Sequence, residues 1–332
     1  MKILVFGATG MVGRTMLNVL EERQMNFPSP LELIPVASER SAGQRLQFLG
    51  RELKVVLPEE GLASGAAIAL FSAGASTSLT WAPRFAEKGT YVIDNSSAWR
   101  REAGVPLVVP EINAHRMARD HYLIANPNCS TIQLVAALAP LHRAYGLDRI
   151  VVSTYQSVTG SGVAGLQQLM DERRGVDGPK AYPHPIDLNL IPQGGHFQAD
   201  GYTSEEDKLV FETRKILGDE SIRVSPTVVR VPVKGGHSES VNVSFHREYV
   251  LEEAVALLRS TPGLLVLDDP VASVYPTPQL AEGRDEVFVG RIRRDPSAPK
   301  TLNLWIVSDN LRKGAATNAV QIAEVIAGWK EE

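Results

Sequence analysis

The first thirteen residues restrict the fold of this chain most. A short apolar run at 3–6 leads directly into Gly7-Ala8-Thr9-Gly10-Met11-Val12-Gly13, after which apolar residues recur at Met16, Leu17 and Leu20. A strand period that changes to a helical period across a glycine turn predicts strand–turn–helix. Glycines at the first, fourth and seventh places of the turn are a variant of the dinucleotide fingerprint. Gly10 would let the backbone approach a pyrophosphate, Gly13 would let helix and strand pack closely, and the helix start supplies free N–H groups and a positive dipole end. A purely structural turn in another α/β protein could carry the same glycines. Its place in the first strand–turn–helix of the chain favours cofactor binding.

The rest of the chain extends this pattern and then abandons it. Strand-like runs at 31–37, 67–72 and 91–94 alternate with helical spacing at 14–23 and 81–88, which predicts a parallel sheet covered on both faces. Beyond about residue 150 the strand-like runs are longer, at 149–157, 227–233, 240–246, 287–292 and 301–307. They are joined by Pro- and Gly-rich connections such as 175–195, and a helix rich in Ala, Ile and Val is expected at 314–329. At roughly 150 residues per domain, 332 residues suit two domains. The expected fold class is α/β: a Rossmann-type doubly wound parallel sheet domain plus an α+β catalytic and dimerisation domain with a mixed sheet.

Composition excludes several functions. The chain has one cysteine, so no intramolecular disulfide or multi-thiolate metal cluster can form; no metal site and a reducing, cytoplasmic setting are expected. A net charge of −4 suggests neither nucleic-acid nor anionic-membrane binding, and no apolar run reaches the roughly 18 residues of a membrane span. An anionic substrate would have to be held by local cations.

The single cysteine is well placed for chemistry. Asn126-Pro127-Asn128-Cys129-Ser130-Thr131 reads as a turn into a helical run at 132–141, with Ser130 and Thr131 suited to a first turn. At a helix N-terminus the dipole favours thiolate over thiol, and a thiolate attacks carbonyl and acyl-phosphate carbons. Most lone cysteines are inert buried residues; the polar turn and helix start weigh against that here. After the second strand comes Ser38-Glu39-Arg40-Ser41. Arg40 flanked by Ser38 and Ser41 suits a ribose 2′-phosphate and favours NADP, although Glu39 is the residue type an NAD enzyme would use and a solvated Arg40 is the plain alternative. Arg230 interrupts an apolar strand, Val228-Val229-Arg230-Val231, where an unpaired charge is costly, so a ligand or an ion-pair partner is expected.

Ordered blocks along nearly the whole chain resemble the aspartate-semialdehyde dehydrogenase family. They are GATGMVG (7–13), SERSAG (38–43), DNSSAWR (94–100), VVPEIN (108–113), NPNCST (126–131), YQSVTGSG (155–162), GYTSEEDKLVFETRKIL (201–217), RVPVKGGHSESV (230–241) and SDNLRKGAATNAVQ (308–321). The resemblance implies an NADP-binding domain at 1–128 plus 310–332, a catalytic and dimerisation domain at 129–309, and a homodimer acting on a small-molecule substrate and inorganic phosphate. It implies Cys129 as acyl-enzyme nucleophile, His237 as general acid/base and Gln156 as substrate-orienting residue. Residue chemistry alone does not separate His237 from His246 or His196.

The same resemblance gives Arg230 to the substrate α-carboxylate, Glu205 to its ammonium, Asn128 to substrate, and Lys208 and Arg100 to phosphate. The adjacent Arg101 competes with Arg100 for that role. Cofactor contacts are implied for Gly7, Thr9, Gly10, Met11, Val12, Ser38, Arg40, Ser41, Thr159, Gly160 and Asn310. The alternatives are an N-acetyl-glutamyl-phosphate reductase-like or glyceraldehyde-phosphate-type enzyme, and a catalytically silent NADP-binding paralogue. Glu205 argues against an N-acetylated substrate, which would not need it.

Overall fold

The computed structural model describes residues 1–329. By packing, the chain divides into one unit of Met1–Pro127 with the C-terminal segment from Ala315, and a second of Asn128–Gly314. Asn128 and residues 310–314 therefore pack with the second unit.

Five parallel strands form the first unit: β1 (Lys2–Phe6), β2 (Glu32–Val36), β5 (Ile68–Phe71), β6 (Tyr91–Asp94) and β7 (Leu123–Ala125), in the order β2-β1-β5-β6-β7. A two-stranded hairpin, β3 (Arg45–Phe48) and β4 (Arg51–Lys54), follows β2. Helices α1 (Met11–Glu22), α2 (Pro58–Ala63), α3 (Ala75–Glu87), α4 (Pro110–Asn113) and the C-terminal α10 (Thr317–Gly328) complete the unit.

Buried residues of β1 alternate between two cores. Ile3 and Val5 pack with Met16 and Leu20 of α1 and Ile322 and Ile326 of α10, whereas Leu4 and Phe6 pack with Ala82 and Phe85 of α3. Both faces are thus covered, which is why these strands read as continuous apolar runs. The strand order reverses direction between β1 and β5, and the turn after β1 lies at that switch point, where doubly wound sheets bind ligands.

Two helix starts in the first unit differ from the sequence reading. Helix α1 begins at Met11, inside the glycine motif, and α3 begins at Ala75 rather than 81, because Ser76, Thr77, Ser78 and Thr80 obscure its apolar period. The hairpin was not foreseen either. Its pattern is two-fold, with Leu46 and Phe48 buried and Arg45 and Gln47 exposed, but it is only four residues long on each side.

In the second unit, six strands form a mixed sheet: β8 (Leu147–Gln156), β9 (Arg223–Arg230), β10 (His237–Phe245), β11 (Leu264–Val266), β12 (Val287–Arg294) and β13 (Thr301–Ser308), in the order β11-β12-β13-β10-β8-β9. The pairs β8–β9 and β11–β12 are parallel and the others antiparallel. Helices α5 (Cys129–Tyr145), α6 (Gly162–Arg173), α7 (Ser204–Leu217), α8 (Leu251–Ser260) and α9 (Pro278–Ala281) accompany it. Leu134, Leu138 and Leu141 of α5 and Leu258 of α8 share a core with Ile150, Val152, Val241, Val243, Leu304 and Ile306 of the sheet.

Strand β9 starts four residues before the expected position and contains Pro226. It is an edge strand, where a residue without an N–H is tolerated. A mixed sheet in one unit and an all-parallel sheet in the other are the architecture the sequence predicted. No helix among the described residues is long and apolar enough to cross a membrane, and no group of three potential metal ligands occurs among them.

Strand β10 carries a carboxyl in the core. Glu239 is fully buried opposite Thr154 and Ile306, and neither of its oxygens makes a hydrogen bond of normal geometry. Burial pushes its carboxyl well above the usual carboxylate range, against a lowering contribution from the Gln133 side chain. Folded Glu239 therefore keeps a proton that the unfolded chain releases, so its contribution to stability is lost as pH rises beyond the ordinary glutamate range. In Glu239→Gln, stability relative to the parent should grow by about 1.4 kcal/mol per pH unit in that window, whatever its constant offset. Denaturant midpoints across pH check this; parallel curves for the two proteins would refute it.

Candidate active site

The turn after β1 needs glycine at two places. Gly7 has φ 87°, and a Cβ there would lie 2.4 Å from the Ser72 carbonyl oxygen. A Cβ on Gly13 would lie 2.1 Å from the Gly7 carbonyl oxygen, so helix and turn touch backbone to backbone. Gly10 is the N-cap of α1 in an extended conformation, and no side chain caps the helix. The N–H groups of Met11, Val12 and Gly13 thus have no acceptor in the preceding turn. An uncapped helix start behind a glycine cradle fits the pyrophosphate of a dinucleotide. Thr9 uses its carbonyl to receive Arg14 Nε at 3.1 Å.

Ser38, Arg40 and Ser41 form a tight turn after β2, with the Ser41 N–H donating to the Ser38 carbonyl at 2.8 Å. Arg40 and Glu39 are both exposed, and neither has an ion-pair partner among the described residues. Arg100, also in the first unit, is buried and donates from Nη2 to the Asn95 carbonyl at 2.9 Å, whereas Arg101 is exposed. The two arginines thus differ in burial. Nearby Asp94 is pushed up by burial, opposed by hydrogen bonds from Ser96.

The second unit gathers the remaining candidates. Asn128 is the N-cap of α5: its Oδ1 accepts from the Ser130 N–H at 3.0 Å and the Thr131 N–H at 3.3 Å. Its own N–H donates to Glu212 Oε2 at 2.7 Å, and its Nδ2 to Glu205 Oε2 at 2.8 Å. Cys129 is therefore the first residue of a firmly capped 17-residue helix, partly exposed rather than sealed in the core. The helix dipole stabilises a thiolate there. Gly314 lies against it, so that a Cβ at 314 would come 3.0 Å from the Cys129 Cβ.

Beneath the helix start, one row of side chains crosses four strands. Arg230 pairs with Gln156, and His237 pairs with Ser308; Ser238 faces Tyr155, so His237 stands next to Gln156. Gln156 Nε2 donates to the Ser130 hydroxyl at 2.9 Å, tying the row to the residue beside Cys129. Arg230 is 5% exposed; Nη1 donates to the Ser157 carbonyl at 2.9 Å, Nε has no acceptor, and no carboxylate pairs with it among the described residues. Its guanidinium is 5.9 Å from the Tyr182 ring centroid. A buried cation in this state carries a desolvation cost that an anion beside it would offset.

His237 was expected on a loop after two glycines. It is instead the first residue of β10, because Gly236, at φ 81°, completes the turn and a Cβ there would meet Pro278 at 2.9 Å. Burial, helped by the charge on Arg230, pulls the His237 pKa down to about 3; Glu205 opposes this. The ring is neutral at working pH. Thr159 and Gly160 lie on the turn Val158–Ser161, and a Cβ on Gly160 would come 2.5 Å from Arg230 Nη1 and 3.1 Å from His237 Nε2. Glu205 and Lys208 form an i,i+3 ion pair with each other at the start of α7. Asn310 accepts at Oδ1 from the Gly236 N–H at 3.1 Å and the Ser157 hydroxyl at 3.0 Å.

Sequence reasoning missed Ser157 and Glu212. Ser157 sits inside a recognised block but differs in nothing from its polar neighbours; Glu212 is one of several acids in α7, and only its reach to the Asn128 N–H marks it.

Residues 2–119 match the family model described as semialdehyde dehydrogenase, NAD binding domain, and residues 138–313 the one described as semialdehyde dehydrogenase, dimerisation domain. The chain is 52% identical over 334 residues to the aspartate-semialdehyde dehydrogenase of Aquifex aeolicus, covering 98% of this chain and 97% of that one. It is similar to the crystal structure of aspartate semialdehyde dehydrogenase II complexed with ASA from Vibrio cholerae, with TM-score 0.93, 45% identity and 98% coverage of each chain. A further likeness is to aspartate semialdehyde dehydrogenase with NADP from Candida albicans, with TM-score 0.77, 28% identity and 98% coverage of each chain. With both domains matched and half the residues shared over nearly the full length, the chain belongs to the aspartate-semialdehyde dehydrogenase family.

Proposed function

We propose that the chain reversibly converts L-aspartyl 4-phosphate and NADPH to L-aspartate 4-semialdehyde, NADP⁺ and phosphate through a thioester on Cys129. The product serves lysine, threonine, methionine and isoleucine biosynthesis. The observation that carries this reading is the capped helix start bearing the sole cysteine, linked through Ser130 and Gln156 to a buried Arg230 that pairs with no carboxylate among the described residues. Lone thiol, anion receptor and imidazole are what an acyl transfer to sulfur requires.

The Cys129 thiolate attacks the acyl carbon, and phosphate leaves toward Arg100 and Lys208. Arg230 holds the α-carboxylate by its planar fork, and Glu205 takes the ammonium in exchange for its pairing with Lys208. That exchange frees Lys208 for phosphate. NADPH, when bound, supplies the hydride that reduces the thioester. Gln156 and Asn128 orient the acyl group, His237 Nε2 serves the carbonyl oxygen, and the thiolate is then expelled to release aldehyde. A homodimer and a cytoplasmic site suit a dimerisation domain and a chain whose one cysteine can form no intramolecular disulfide.

Arg40 is the residue for NADP preference. Arg40→Ala should lower the ratio of kcat/KM for NADP⁺ over NAD⁺ by about 10- to 100-fold, the worth of a charge-assisted contact of about 1.5–3 kcal/mol. An unchanged ratio would mean that Arg40 is a solvated loop charge. The reading itself is tested by NADPH formation from L-aspartate semialdehyde with and without phosphate. Phosphate-dependent turnover is expected. Cofactor binding without turnover would favour a silent NADP-binding paralogue.

A further inference from the structure

We infer that Tyr182 is a positioning residue for substrate recognition: a strap of main chain pinned to α6 seats its ring against the Arg230 guanidinium, so that the fork stays charged, unpaired and open to the α-carboxylate. This rests on the function proposed above. A buried guanidinium needs something to offset its charge. An acidic side chain would do so, but it would occupy the N–H edge that a carboxylate ligand must reach. The face of an aromatic ring attracts a cation and leaves that edge free. Arg230 Cζ lies over the Tyr182 ring at 5.9 Å from its centroid, inside the roughly 6 Å range of such contacts. No carboxylate pairs with the guanidinium among the described residues, and its Nε has no acceptor.

The ring is held there from both sides. Between α6 and α7 the chain makes a long excursion, 174–203, without a helix or sheet strand of its own. Gln168 of α6, 1% exposed, accepts at Oε1 from the main-chain N–H groups of Ala181 at 2.6 Å and Tyr182 at 2.9 Å. Its Nε2 donates to Glu172 Oε1 at 2.8 Å and to the His184 carbonyl at 3.2 Å. Glu172, one helical turn on, accepts at Oε2 from the Ile186 N–H at 2.7 Å and the Asp187 N–H at 2.9 Å. Two side chains of one helix face therefore pin the strap on each side of the aromatic residue. Further along, Ile191 exchanges main-chain hydrogen bonds with Arg230 at 2.7 and 3.0 Å. The strap that carries the ring is thus bonded to the residue the ring covers.

The Tyr182 hydroxyl serves a different neighbour. It is directed to the Val158 carbonyl at 3.4 Å, long for an O–H···O bond. Gly165 makes room for it, since a Cβ there would stand 2.7 Å from the hydroxyl oxygen. The ring, not the hydroxyl, is what Arg230 meets. Tyr182 also packs with Val158, Leu169, Ile186 and Ile191, which a plain core residue would do as well. A core role and a role through Arg230 differ in one respect: only the second depends on the substrate carboxylate.

Kinetics with two aldehydes separate the roles: L-aspartate semialdehyde, and 3-aminopropanal, the same molecule without its α-carboxylate. Tyr182→Leu should raise KM for L-aspartate semialdehyde about tenfold with kcat within about twofold, and should change kcat/KM for 3-aminopropanal by no more than about twofold. Tyr182→Phe keeps the ring face and should return KM to within about threefold of the parent. In an Arg230→Leu background, Tyr182→Leu should cost no more than about a further twofold. Equal losses with both aldehydes, or an undiminished loss in the Arg230→Leu background, would make Tyr182 a core residue only and overturn the inference. Proton–nitrogen NMR of full-length protein labelled at arginine reads the contact without substrate. The Arg230 Nε–H signal, assigned by its loss in Arg230→Leu, should be displaced by the ring current in the parent and in Tyr182→Phe, and should return toward the ordinary arginine position in Tyr182→Leu. Should Tyr182→Leu fail to fold, an undisplaced signal in the parent, or a KM for Tyr182→Phe as high as about tenfold above the parent, still overturns the inference. A displaced signal in a parent without phosphate-dependent turnover would defeat the functional reading and leave the ring–guanidinium contact standing.

Discussion

Arg230→Leu should lose roughly 10²–10³-fold in kcat/KM for L-aspartate semialdehyde while unfolding no more easily than the parent. Arg230 is 5% exposed; its guanidinium makes one hydrogen bond to a main-chain carbonyl and has no carboxylate partner among the described residues. Without ligand it is a buried charge that lowers stability, and replacing such a charge by an apolar side chain is often neutral or stabilising. With ligand, the fork closes on a carboxylate in a water-poor site, and losing one partner of such a pair costs about 3–4 kcal/mol. Steady-state kinetics and a denaturant titration read the two halves separately. A large loss of stability with little change in kcat/KM would make Arg230 structural and would leave the α-carboxylate without a receptor. Arg230→Lys should recover charge but not the bidentate geometry, and so only part of the activity.

Cys129→Ala should abolish turnover, by about 10⁴-fold or more, and leave NADP⁺ affinity within about twofold. The helix that Cys129 begins is capped by Asn128, and the residues after it bury their side chains, so a small apolar substitute keeps the cap and the core intact. The cofactor turn, with its glycines at 7, 10 and 13, belongs to a different packing unit, which is why cofactor affinity should survive. Fluorescence titration with NADPH alongside the activity assay checks both statements. Substantial residual phosphate-dependent turnover in Cys129→Ala would remove the thioester from the pathway.

Much of the fold was legible because its physics is local. A parallel strand covered on both faces reads as an unbroken apolar run, as 3–6 in β1, 68–71 in β5 and 91–93 in β6 do. Gly7 and Gly13 stand where a Cβ would come 2.4 and 2.1 Å from a main-chain oxygen, so the glycine spacing in the sequence is the one this turn requires. Boundaries failed where local signals conflict with tertiary context: Pro226 reads as a strand breaker but is harmless on the edge strand β9, and the hydroxyl-rich start of α3 hides its apolar face. The site was legible in part. Cys129 and Arg230 could be singled out from residue chemistry, one by its turn and helix start, the other by its charge in an apolar strand.

His237, Gln156, Glu205 and Lys208 entered only through resemblance, since a histidine after two glycines or an i,i+3 ion pair is ordinary in isolation. What no sequence argument reached is the lateral row Arg230–Gln156–His237–Ser308. Strand register is decided by non-local pairing, and only that pairing brings Ser157 to the imidazole.

The central claim is a covalent acyl group on one sulfur, and a single-turnover experiment reaches it most directly. Enzyme is mixed with L-aspartate semialdehyde and NADP⁺ in the absence of phosphate, NADPH is followed, and the quenched protein is weighed and mapped by mass spectrometry. The account predicts a burst of about one NADPH per chain followed by a stall, an aspartyl adduct on Cys129, and resumed turnover when phosphate is added. Continuous turnover without phosphate, or an adduct on any other residue, would contradict it.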